Sequence, residues 1–141
     1  MGSTIYSDKQ NQSITSCLNF IVSKQNTAGG SFYEDGKTLI GLTSYVAVLL
    51  LENLQKFTQF TPQAQAALNF ITTNQPSNVI KDLIISTRAL QLGAQAGFVS
   101  ESTFQIFYIQ LMSQSTETVD YLYWNLLDYE SNAFALPLLL N

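Results

Sequence analysis

Apolar residues recur along this chain at three- and four-residue steps, the spacing of a helix face, through almost its whole length. Ile14, Leu18, Ile21 and Val22 mark a first helix over roughly residues 11–25, with Asn11 or Ser13 as its cap. A turn-rich loop with three glycines follows, from Asn26 to Lys37. Residues 39–56 are almost wholly apolar, which predicts a helix buried on all sides. Thr61-Pro62 caps and starts a third helix, ending at Asn74-Gln75-Pro76. Ser77 or Asn78 opens a fourth, which runs to about Ala96 and stops at Gly97. Residues 100–112 form a fifth, with Phe104, Phe107, Tyr108 and Leu111 on one face. A sixth covers residues 126–140, kinked or shortened by Pro137. Sustained period-two alternation is absent, so β structure is not expected.

Six helices make three hairpins, each with a more hydrophobic second member. Leu68-Asn69-Phe70-Ile71 echoes Leu18-Asn19-Phe20-Ile21 at a 50-residue offset. Repetition of helix pairs at such a period predicts an all-α array or α/α toroid, with the apolar second helices inside. Residues 1–10 read as a cloning scar or a disordered start, and residues 11–141 as a single helical unit.

Composition narrows the chemistry. The 141 residues include one Cys and no His, so internal disulfides, CxxC zinc sites and histidine bases are excluded. Charged residues are only 11%, against ~25% in an ordinary soluble chain. Ser, Thr, Asn and Gln fill the gap with 50 positions. A net charge of −4 argues against a nucleic-acid partner. The charge is also lopsided. Residues 1–88 sum to +1, and every later charge is acidic, for a total of −5. That acidic half is either a solvated end or a surface for a basic partner. No run approaches the ~20 apolar residues of a membrane span.

Several residues invite a chemical reading. Glu34-Asp35 is the only adjacent acidic pair, and beside Gly36 it reads as solvated. Gly29-Gly30-Ser31 lacks the Gly-Lys-Ser/Thr ending of a phosphate cradle and reads as a turn needing positive φ. Arg88, six residues beyond Asp82, is badly spaced for a pair within one helix. It ties helices together, faces the interior, or is simply exposed. Cys17, on a helical pattern, reads as a small buried or half-buried apolar residue. Tyr121, Tyr123, Trp124 and Tyr129, beside Asp120, Asp128 and Glu130, form the most binding-like patch. They are candidate protein-contact residues, with packing back onto the helices as the alternative. Asn11-Gln12-Ser13 is a candidate glycosylation acceptor if the protein is secreted.

The ordered wording carries a resemblance. Leu18-Asn19-Phe20-Ile21-Val22-Ser23-Lys24-Gln25, then Gly30-Ser31-Phe32 and Glu34-Asp35-Gly36, then Leu42-Thr43-Ser44-Tyr45-Val46 and Leu51-Glu52, resembles the thioester domain of the α2-macroglobulin and complement family. Residues 66–71, 83–92, the Tyr123-Trp124 step and residues 129–136 continue it in order, in wording closest to insect thioester-containing proteins. The resemblance implies the C-terminal half of a twelve-helix toroid, secreted, from an innate-immunity opsonin or protease trap. The "GCGEQ" of the family's thioester is missing: Cys17 is followed by Leu18-Asn19. The loop before the second helix also lacks the His of the complement branch. The expected role is therefore a non-catalytic, cofactor-free and metal-free scaffold and contact surface. Its partners would be the rest of a parent domain, neighbouring domains or a second copy. Two alternatives stay open, a stand-alone helical-repeat binding module and a fragment of a prenyltransferase- or terpene-cyclase-like toroid. The second lacks the "DxDD"-type acids such sites use.

Overall fold

The computed structural model describes the backbone of residues 2–117, 122–123 and 135–140, with side chains from residues 8–115 and 135–140. Five α-helices fill most of this: α1 (Gly2–Val22), α2 (Leu39–Glu52), α3 (Thr61–Thr72), α4 (Ile80–Gln95) and α5 (Glu101–Ser113). A 3-10 turn (Thr58–Phe60) precedes α3, and residues 135–139 are helical again. The all-α character and the order of the helices follow the hydrophobic spacing.

Local chemistry sets the ends of these helices. Thr38 caps α2, its hydroxyl accepting the Gly41 amide at 3.0 Å, and Ser100 caps α5 in the same manner. α4 closes on a Schellman turn. Phe98 N donates to Gly93 O at 2.8 Å and Gly97 N to Ala94 O at 3.0 Å, with Gly97 at φ +80°.

Several expectations need correction. α4 begins at Ile80 with Val79 at its cap position, so neither Ser77 nor Asn78 opens it. α1 begins at Gly2, so the chain is helical through residues 2–10, and neither Asn11 nor Ser13 is a cap. α2 stops at Glu52, four residues early, where Asn53 turns its side chain back onto Leu49 O at 2.8 Å. Thr61 lies inside α3, with Phe60 at the cap position. β structure does occur: β1 (Thr116–Glu117) and β2 (Leu122–Tyr123) pair antiparallel, Thr116 opposite Tyr123. That stretch lacks helical spacing and contains Thr and Tyr, which favour strands. Of the predicted sixth helix, residues 126–134 lie outside the described residues.

The core sits where the second helices meet. α2 buries Thr43, Ser44, Val46, Ala47, Val48, Leu50 and Leu51, and α4 buries an unbroken run from Leu83 to Thr87. The two pack against each other along their lengths and in the same direction. Thr38, at the start of α2, donates to Asp82 Oδ2 in the first turn of α4 at 2.8 Å. Glu52, at the end of α2, meets Arg88 in the second half of α4 at 3.7 Å. α3 packs on both helices through Ala64, Ala67, Leu68 and Ile71, and α5 packs on α4 through Phe104, Phe107 and Leu111. α1 is the loosest element, with Leu18 its only buried side chain among those described. Cys17 is exposed, not buried, because it falls one position off the Leu18 stripe.

Candidate functional site

The loop from residues 25 to 33 lies between α1 and α2 and packs against α3. Gln25 Nε2 donates to Gly30 O at 2.9 Å and, across to α3, to Gln63 O at 3.0 Å. Asn26 accepts the Ala28 amide at its Oδ1, and its own N–H reaches Ser31 O at 2.8 Å, folding the loop back. Gly30 has φ +81°, and a Cβ there would lie 2.2 Å from the Ala66 carbonyl oxygen. Phe32 is then buried, with its amide donating to Thr43 Oγ1 at 2.9 Å. The Gln–Gly–Phe–Thr wording of this stretch is thus a joint that seats one hairpin on the next.

Two cavities flank α4. The larger, about 590 Å³, opens between the N-terminal ends of α2 and α4. Leu42, Ile84 and Ile85 line it with Tyr45, and Lys37 and Asp82 are among the charges at its edge. Gly41 faces the paired side chains of Thr38 and Asp82: a Cβ would meet Asp82 Oδ1 at 2.5 Å and Thr38 Oγ1 at 2.6 Å. Leu39, Tyr45 and Val79, on or beside the starts of α2 and α4, are exposed, so α2 is not buried on all sides.

The smaller cavity, about 200 Å³, lies between α4, α5 and Leu138 of the last helical residues. Gln91 and Gln95 face it from α4, and Glu101, Gln105 and Tyr108 from α5. Gln91 is only 4% exposed. Arg88 Nη1 donates to its Oε1 at 2.5 Å, while Arg88 Nη2 reaches Glu52. Arg88 therefore ties helices together, one of the roles open to it from the sequence.

Of the candidate contact residues, Asp120, Tyr121, Trp124, Asp128, Tyr129 and Glu130 lie outside the described residues. Tyr123 is described by its backbone alone, in β2. Asn11 sits partly buried within α1, not in a loop. Glu34 and Asp35 are exposed as expected. Asp35 accepts the Tyr33 hydroxyl at 2.5 Å, and that hydrogen bond, followed by slight desolvation, raises the Tyr33 pKa above the ordinary tyrosine value. No group of three or more His, Cys, Asp or Glu among the described residues could hold a metal ion. No described helix is long and apolar enough to cross a membrane. Sequence reasoning missed the smaller cavity. Its one signal is Gln91, an amide on the buried face of α4.

No family model matches the chain, and searches of curated proteins and of solved structures return no match.

Proposed function

We propose that this chain is a non-catalytic helical-hairpin scaffold of the thioester-domain type. It would be half of a toroid from a secreted innate-immunity protein of the opsonin or protease-trap kind. Its role is to hold a surface for protein contact, without forming a thioester itself. The observation that carries this reading is the joint at Gln25, Gly30, Phe32 and Thr43, where the residues of the resemblance act together to seat hairpin on hairpin. The same-direction packing of α2 and α4, with α3 against both, is the local geometry a toroid of hairpins requires. Exposed Cys17, inside a helix and without Gly-Glu-Gln behind it, offers no thioester partner.

The parent transcript tests this. A Gly-Cys-Gly-Glu-Gln encoded upstream in the same reading frame is the expected result. A complete transcript without that sequence overturns the thioester-type reading and leaves the stand-alone helical-repeat module.

A further inference from the structure

The smaller cavity carries chemistry that the scaffold reading does not use. The most buried of its polar lining residues is Gln91. Arg88 can only donate, so the amide oxygen must face it and the NH2 must point the other way. That NH2 has no hydrogen-bond acceptor among the described residues, and Gln91 lines the cavity. A ligand's acceptor placed in the cavity would complete that NH2. The amide is also held in place beforehand, because Arg88 is itself paired with Glu52 on α2.

Opposite lie acceptors. Gln105 spends its Nε2 on Glu101 Oε1 at 3.3 Å, leaving its own oxygen and the second Glu101 oxygen free to accept. The Tyr108 hydroxyl, able to donate and accept, makes no hydrogen bond among the described residues. The Tyr108 ring stands 5.5 Å from Phe104 and gives one wall an aromatic surface. Donors and acceptors set around a small space suit a ligand whose polar groups are hydroxyls, each both donor and acceptor. An aromatic wall suits the C–H face of a ring. About 200 Å³ holds roughly six or seven waters at about 30 Å³ each, less than the ~300 Å³ of the smallest drug-type pockets.

We propose that the cavity between α4, α5 and residues 135–139 binds a single sugar ring, free or as one unit of a glycan. This stands independently of the thioester-type reading, whose test lies in the transcript.

The test follows the side-chain amide NMR resonances of the full chain as glucose, galactose, mannose and N-acetylglucosamine are added into the tens of millimolar. Glycerol serves as the small-polyol control, and oligosaccharides of the same sugars provide the glycan arm. At least one sugar should shift Gln91 and Gln95 saturably while glycerol does not. Tyr108→Phe, which keeps the ring, and Gln91→Met, which keeps the volume, should each weaken binding about tenfold, the size of one lost hydrogen bond. Saturation by the free ring assigns a soluble sugar, and saturation by the oligosaccharide alone assigns a glycan. Absence of saturable shifts in both arms overturns the proposal. So does an equal response to glycerol, or unchanged affinity in both variants with their spectra still folded.

Discussion

At position 30 a methyl group would lie 2.2 Å from the Ala66 carbonyl oxygen, on a backbone already at φ +81°. At position 29 nothing lies within 4 Å. Gly30→Ala should therefore cost about 3 kcal/mol or more, and Gly29→Ala close to nothing, in urea unfolding followed by circular dichroism. The Gly-Gly pair reads as a turn from sequence, but which glycine is indispensable depends on a contact 36 positions away. Ser44 makes the opposite case. Its hydroxyl is fully buried and has no hydrogen-bond partner among the described residues. Ser44→Ala should raise stability by about 1 kcal/mol in the same unfolding measurement. Tyr33 supplies a pH dependence. The folded chain holds the phenol proton more tightly than the unfolded one, so this contribution is complete below the ordinary tyrosine pKa and fades as pH rises above it. Ultraviolet titration should show one tyrosine ionising late, and Asp35→Asn should bring it back down toward the ordinary value.

Helix by helix, the apolar stripes place the elements, and their ends are readable at Ser100 and Gly97 but not at Asn11, Ser13, Thr61, Ser77 or Asn78. α5 begins where Ser100 predicts, and α4 ends at Gly97. α1 was less readable. Its polar N-terminal half has no apolar stripe to predict it, and the stripe itself is narrower than spacing implies. Leu18 is 4% exposed, but Ile14 is 41% and Phe20 65%. Only one side of α1 meets the rest of the molecule, so an apolar residue one step off that line stays in solvent. Leu18→Ala should cost roughly 2–4 kcal/mol, whereas Phe20→Ala should change stability by less than about 0.5 kcal/mol. Equal losses from the two would mean that α1 docks on a different face. The candidate contact residues from Asp120 to Glu130 were named for composition alone, which says what a patch could bind but not where it folds.

At the scale of the whole molecule, the strongest sequence inference was that the two most apolar helices belong together inside. α2 and α4 do form the shared core, with α3 packed on both and α5 on α4. The direction of the pair was not readable, because a helix buried on every side has no marked face to orient it. Direction instead comes from polar contacts at the two ends, Thr38 with Asp82 and Glu52 with Arg88. The toroid geometry within the scaffold reading depends on that shared direction, and spin-label distances test it most directly. In a Cys17→Ser background, labels are placed in one sample at Lys37→Cys and Lys81→Cys, and in another at Lys37→Cys and Gln95→Cys. α4 is 16 residues long, about 24 Å at 1.5 Å per residue. With Lys37 beside Lys81, the second pair should be longer than the first by more than about 10 Å; the reverse order contradicts the shared direction.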